Sequence, residues 1–300
     1  MSKVEISHLI TEKRNPSTMN LDQMTTGEFL EVMNNEDAKV AFCVKEQLDQ
    51  IEIAVHHIIQ AFNQGGRLIY VGSGTSGRLG VLDAVECPPT FSTTDEVQGI
   101  IAGGPSAFVK AKEGVEDSAT QGAYDIEAIN VNAKDVVVGI AASGRTPHTI
   151  GALDKANELG AYTVALACNP NSEISKHAQL AIEVATGPEV VSGSTRLKAG
   201  TAQKMILNML STASMIGIGK TYQNLMIDLH PSNQKLVERS IRIVMQACEC
   251  SYEEALDVFE KSEHKPKYAI IMYLLKCSLE EAKCRLAKEH GFVYKAIQTK

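Results

Sequence analysis

The chain has no tryptophan, and eight tyrosines with seven phenylalanines make aromatics only 5% of its 300 residues. Nor is there a basic excess: 29 Lys and Arg stand against 36 Asp and Glu, a formal net charge of −7. That balance argues against a nucleic-acid partner, because phosphate backbones select basic surfaces. No uninterrupted apolar run approaches the roughly 18–20 residues that span a bilayer, so no membrane partner is expected. The opening stretch MSKVEISHLITEKRNP lacks the apolar core of a secretory signal. The seven cysteines are odd in number and scattered, and Cys248 with Cys250 has no His/Cys quartet of zinc spacing beside it. Reduced thiols in a cytoplasmic protein are the expectation. What remains is an ordinary globular composition, 44% hydrophobic and 22% charged, long enough for one large domain or two smaller ones.

The most informative stretch is Arg67–Phe91, RLIYVGSGTSGRLGVLDAVECPPTF. Leu68-Ile69-Tyr70-Val71 reads as a buried strand, Gly72–Gly77 as a Gly/Ser/Thr turn, and a helix is expected from about Arg78. A strand, such a turn and a helix N-terminus together make an anion site. The first N–H groups of the helix lack intrahelical partners, and its dipole favours negative charge. Ser73, Thr75 and Ser76 add hydroxyl donors. Cys87-Pro88-Pro89 is expected to stop the helix just after Glu86.

Before this stretch, residues 1–19 are polar and irregular; a surface arm and an arm that closes over a neighbouring site both fit. Helical periodicity begins near Asn20. A longer helix is expected from the 34–37 cap region to Phe62, with Val40, Val44, Leu48, Ile51 and Ile58 on one face, ended by Gly65-Gly66. After Pro89 the pattern alternates. Val97–Ala102, Val136–Ala142, Tyr162–Ala167 and Ala178–Val184 read as strands. A helix opened by Gly103-Gly104-Pro105 should turn Ala107, Phe108 and Ala111 inward, and another should run from Pro147 to about Leu159. This alternation predicts an α/β fold with a parallel sheet covered on both faces. Ligands in such sheets bind beyond the carboxyl ends of the strands. Ser143-Gly144-Arg145-Thr146 follows a second strand there, repeating the device of the first loop. From Thr195 the period is helical again. The last fifty residues read as helices over Tyr252–Glu260, Pro266–Leu275 and Ser278–Glu289, a small bundle with S/T-x-x-E capping boxes at Ser251 and Ser278.

Neither loop has the pattern of a nucleotide P-loop, which points to a phosphomonoester of a small metabolite. Glu86 lies in an apolar setting, between Val85 and Cys87-Pro88-Pro89, that would desolvate it and raise its pKa, as a general acid requires. Glu116 sits with Glu113 and Asp117, one of which can serve as a base. Glu189, Arg196 and Lys198 mark a further polar helix start, with Ser194 or Thr195 as its cap and the two cations free for an anionic group. His148 and His230 are possible acid–base residues, though lone histidines are more often structural. Cys87 has no evident His partner and is not taken as a nucleophile.

VGSGTSGR and AASGRTP resemble the two phosphate loops of SIS (sugar isomerase) domains. The fuller set GRLIYVGSGTSGRLGVLDAVECPPTF, IAGG, EGVED, VVVGIAASGRTP, CNPNS, GPEVVSGSTRLKAGTAQK and NLMID is similar to the N-acetylmuramic acid 6-phosphate etherases, from about Ile10 to the C-terminus. The resemblance implies three parts: an N-terminal arm and helices (1–50), a SIS phosphosugar-binding domain (51–230) and a C-terminal helical subdomain (231–300). It also implies a cytoplasmic homodimeric lyase of cell-wall amino-sugar recycling, acting on a phosphorylated amino sugar without metal or organic cofactor. Carried over by position, Glu86 is the acid for the leaving lactyl oxygen and Glu116 the C2 base. Ser73, Gly74, Thr75, Ser76, Ser143, Gly144, Arg145 and Thr146 hold the substrate. Val115, where the family often has alanine, is a small departure. Two other readings keep the loops: a non-catalytic sugar-phosphate-sensing SIS regulator, which needs no carboxylate pair, and an aldose–ketose isomerase, which needs no leaving-group acid.

Overall fold

A computed structural model describes residues 7, 9–229 and 233–298, so His230 lies outside the described residues. Helix α1 (Thr26–Asp37) opens on a complete capping box between Thr25 and Glu28. The single helix expected up to Phe62 is instead two, α2 (Val40–Lys45) and α3 (Leu48–Asn63). The break falls where the Gln47 side chain accepts a hydrogen bond from the Glu183 N–H, 3.1 Å away. A tertiary bond overrides helical periodicity at that point.

Strand β1 (Leu68–Gly72) then feeds α4 (Gly74–Phe91), followed by β2 (Val97–Ile101), α5 (Ser106–Val109), α6 (Ala119–Ala128) and β3 (Val136–Ala141). Next come α7 (Pro147–Glu158), β4 (Tyr162–Ala167), β5 (Leu180–Glu183) and α8 (Lys198–Gly217). The five strands form one parallel sheet in the order β2-β1-β3-β4-β5. The expected fold class is the observed one. Strands β1 and β3 are buried at every residue, as an apolar run covered on both faces requires. At their amino ends, Arg67 is clamped to the buried Asp135 carboxylate at 2.7 Å.

Three local expectations change. Helix α4 begins at Gly74 rather than near Arg78, so most of the GSGTSG stretch is already helix. Nor do Pro88 and Pro89 stop it. Lying in its last turn, they forfeit only the bonds to the carbonyls four residues back. The turn is held by the Thr90 hydroxyl on the Glu86 carbonyl and by the Ser92 N–H on the Pro88 carbonyl, both 2.9 Å. Helix α5 has only 4 residues. The carbonyls of Ala107 and Phe108 accept from the Arg78 guanidinium at 2.8 and 2.9 Å, and Lys110 is extended. Phe108 therefore stays 37% exposed and Ala111 is exposed, not inward. Helix α6, unread in the sequence, is capped by Ser118.

The chain divides into two units, one of Met1–Val85 with Asp95–Ser211 and one of Glu86–Thr94 with Thr212–Lys300. The second contains a short hairpin, β6 (Thr221–Tyr222) and β7 (Leu225–Met226), and helices α9 (Gln234–Cys248), α10 (Tyr252–Lys261), α11 (Pro266–Leu275), α12 (Leu279–Lys288) and α13 (Val293–Gln298). Its core gathers Ile241, Val244, Phe259, Ile270, Ile271 and Val293. Ser251 and Glu254 form the full capping box, whereas Ser278 only accepts from the Glu281 N–H. Among the described residues no helix is long and apolar enough to cross a membrane.

Gly77 fixes how α4 lies on β1: a Cβ there would stand 2.4 Å from the Gly72 carbonyl oxygen. Gly77→Ala should cost about 1–3 kcal/mol as an overpacked contact with backbone. Urea unfolding checks this, and an unchanged midpoint would show that α4 does not need its close approach.

Candidate active site

Parallel strands β1 and β3 are neighbours, with Gly72 opposite Ile140, and each ends in one of the hydroxyl loops. The sheet order turns at this pair, because β2 lies beyond β1 on one side and β4 beyond β3 on the other. Such a switch point is where a crevice opens outside the carboxyl ends. Both loops thus flank one crevice.

Ser73 follows β1 directly. It is buried, and its hydroxyl has no hydrogen-bond partner among the described residues. Gly74 has φ +53° and starts α4; Thr75 is half-buried in the first turn. Ser76 is buried, and its hydroxyl is 3.0 Å from Gln203 Oε1 on α8. Its proton is therefore directed at Gln203, while its backbone N–H stays among the first of the helix. In the second loop Ser143, Arg145 and Thr146 are half-buried and Gly144 has φ +72°. Thr146 is the N-cap of α7 without a side-chain capping bond, and Pro147 occupies the first turn.

A cavity of about 210 Å³ joins the first loop to the segment after α5, with Ser73, Gly74, Arg78, Lys112, Glu113 and Glu116 in its wall. Glu116 sits exposed in a 3-10 turn started by Gly114 at φ +73°. The structure thus brings Glu116 to the loop that the sequence placed thirty-odd residues away. Arg78 and Lys112 went unread as wall residues. The only sequence signal was that Arg78 lies one helical turn beyond Gly74.

Glu86 belongs to the second unit and is exposed. The apolar setting expected around it does not desolvate it, since its neighbours face out: Val85 is 56% and Leu82 41% exposed. Cys87 points the other way and is buried. His148 is fully buried with Nε2 2.8 Å from Asp125, a structural placement between α7 and α6.

The N-terminal arm is more than a surface segment. Asn169, after β4, accepts from the Ile10 and Thr11 N–H groups at 2.7 and 3.3 Å. It also donates to the Thr11 hydroxyl and the Ala142 carbonyl, both at 3.0 Å. One buried amide therefore ties the arm to the start of the second loop. Farther along the arm, Asn15 donates to Glu36 at 2.9 Å and to the Pro188 carbonyl at 3.1 Å.

Lys198 corrects the sequence reading. Its ammonium is not free for an anionic group but buried 2.6 Å from Glu36. The expected cap is also displaced: α8 starts at Lys198, and Glu189 accepts from the Lys198 and Ala199 N–H groups at 2.9 Å each. Burial pushes the Glu189 carboxyl up against those two bonds. Burial also pushes Glu36 up, but hydrogen bonds from Lys198, Lys39 and Asn15 outweigh it and hold the carboxyl at about 2. Arg196 is exposed.

Residues 50–157 match the family model of the glucokinase regulatory protein N-terminal SIS domain, and 113–213 match that of the SIS domain. Residues 223–268 match the C-terminal lid domain of glucokinase regulatory protein. An N-acetylmuramic acid 6-phosphate etherase of Bacillus cereus is 56% identical over 293 residues, 97% of this chain and 100% of that protein. The protein of the same name from Bacillus cytotoxicus is 57% identical over the same span and shares. The chain belongs to the N-acetylmuramic acid 6-phosphate etherase family. For a member of this family, the crevice between β1 and β3 is the place to look for the phosphosugar.

The Glu36–Lys198 pair gives a stability test. Because the folded carboxyl lies below its ordinary value of 4.5, its contribution is complete above that pH and is lost as pH falls towards 2. Lys198→Met strands the buried carboxylate and should cost about 3–5 kcal/mol near neutrality. It should also move acid unfolding to higher pH. Unfolding midpoints between pH 7 and 2 check both, and parallel wild-type and variant curves would remove the pair from the account.

Proposed function

We propose that this chain is a carbon–oxygen lyase that cleaves the D-lactyl ether of N-acetylmuramic acid 6-phosphate. Its products are N-acetylglucosamine 6-phosphate and D-lactate. The observation that carries the reading is 56% identity across 97% of the chain with proteins bearing that enzyme's name. Supporting it, the unpartnered Ser73 hydroxyl and the first N–H groups of α4 face the needs of a phosphate, and Glu116 lines the same cavity.

Opening of the sugar ring frees a C1 aldehyde, which acidifies the proton on C2. Glu116 removes that proton as general base. Glu86 protonates the ether oxygen on C3 as lactate departs, since an unprotonated alkoxide is a poor leaving group. Water then adds at C3 of the unsaturated aldehyde and the C2 proton is restored. Ser73, Gly74, Thr75 and Ser76 in the first loop, with Ser143, Gly144, Arg145 and Thr146 in the second, anchor the phosphate. Binding energy from this remote group holds C2 and C3 in place for the two carboxyls. An exposed Glu86 is suited to this role once substrate covers it, because desolvation by the sugar favours its protonated form.

The enzyme works as a cytoplasmic homodimer in peptidoglycan recycling. In support of a dimer, the first unit presents an apolar groove of about 520 Å³ lined by Val81, Val85, Ile100, Phe108 and Ile129. Leu82 and Val109 are exposed apolar residues of the same unit. Exposed apolar surface of this kind marks interfaces.

The wild-type chain should release D-lactate from N-acetylmuramic acid 6-phosphate, read by a lactate dehydrogenase assay; tight sugar-phosphate binding with no lactate would instead identify a sensor. Glu86→Gln should lose about 10²–10⁴-fold in lactate release while still binding the phosphosugar. Undiminished turnover would remove Glu86 from the acid role. For Glu116→Gln, exchange of the C2 proton with deuterated water should disappear, and persistent exchange would assign the base elsewhere.

A further inference from the structure

The second unit holds a cavity of about 480 Å³ that the proposed reaction leaves unused. Its wall includes Ser92 at the end of α4, Asp228 beyond β7, the Lys265–Tyr268 start of α11 and Leu286 of α12. Ile227, Leu229 and Pro266 make part of that wall apolar. The charged part is unbalanced. Lys220 and Lys267 both reach Asp228 Oδ2, at 2.8 and 3.0 Å, although their side chains are only 17% and 13% exposed. One carboxylate faces two ammonium groups there. Across the opening Glu263 is paired with Lys283 at 2.5 Å, and Lys265 lies 5.5 Å over the Tyr268 ring instead of on a carboxylate. Four lysines thus face two carboxylates, leaving two positive charges. Helix α11 adds to the imbalance, because its N-cap Lys265 offers no side-chain acceptor to the first turn. Burial lowers the Lys267 pKa and Asp228 opposes that effect, so an entering anion would stabilise a cation now held at a cost.

We propose that this cavity is a second binding site, which takes a small phosphomonoester. The dianion of a phosphate ester matches the two uncompensated charges, where a carboxylate would neutralise only one. The phosphate would meet Lys265, Lys267 and the Ser92 hydroxyl, with the organic part against Ile227, Leu229 and Pro266.

Because the chain has no tryptophan, Tyr268→Trp gives the full-length protein a single local reporter. Titration with glycerol 3-phosphate should give a saturable change in its emission, with half-saturation in the millimolar range. Adding Lys267→Met should weaken binding by about tenfold or more, the worth of one charge-assisted hydrogen bond, whereas Lys267→Arg should retain it. Lys267→Met leaves Asp228 paired with Lys220, so no carboxylate is stranded; should that variant nonetheless fail to fold, Lys265→Met must show the weakening. No saturable change, an unaltered response in Lys267→Met or Lys265→Met, or D-lactate acting as well as glycerol 3-phosphate would each overturn the proposal.

Discussion

Helix α4 lies on β1 with almost no side-chain layer between them. At Gly77 an added Cβ would come within 2.4 Å of the Gly72 carbonyl oxygen, and at Gly80 within 2.8 Å of Tyr70 Cβ. That approach lets the helix start one residue after Ser73, so its uncompensated N–H groups stand at the carboxyl end of the sheet. Pairing of β1 with β3 then puts the Ser143–Thr146 loop beside it. Move α4 outward by a side chain and the first loop no longer meets either the second loop or the segment bearing Glu116. The glycines of GSGTSGRLG serve helix packing as much as ligand approach.

The rest of the first unit secures that crevice from outside. Asn169 holds the arm to the carbonyl just before Ser143, and Asn15 and Lys198 converge on Glu36. These groups are buried and polar, so each is stable only with its partners in place. The arm and the start of α8 are therefore coupled through one carboxylate. Asp83, another buried carboxylate, accepts from Tyr70, Asn208 and Ser211 and ties α4, β1 and α8 together.

Apolar runs such as VVVGIA and YTVALA specify the strands almost to the residue, because nothing but a doubly covered parallel sheet suits them. The two hydroxyl loops were legible for the same reason: each follows such a run. Tertiary bonds were not legible. Gln47 breaks a periodic helix to reach β5, and Arg78 ends α5 by taking its carbonyls. Lys198 looks like an anion-binding cation in the sequence and proves to be an internal ion pair, because its partner Glu36 lies 162 positions away. Glu86 shows the limit most clearly. Apolar neighbours in sequence suggested burial, yet on a helix they share its outward face. Its catalytic role rests on family resemblance and chemistry, not on its surroundings in one chain.

The central claim, cleavage of the sugar C3–oxygen bond by elimination and rehydration, is tested most directly in water enriched in oxygen-18. With N-acetylmuramic acid 6-phosphate as substrate, mass spectrometry should find the label in the C3 hydroxyl of N-acetylglucosamine 6-phosphate and none in D-lactate. Label in the lactate, or no lactate formed, would contradict the account.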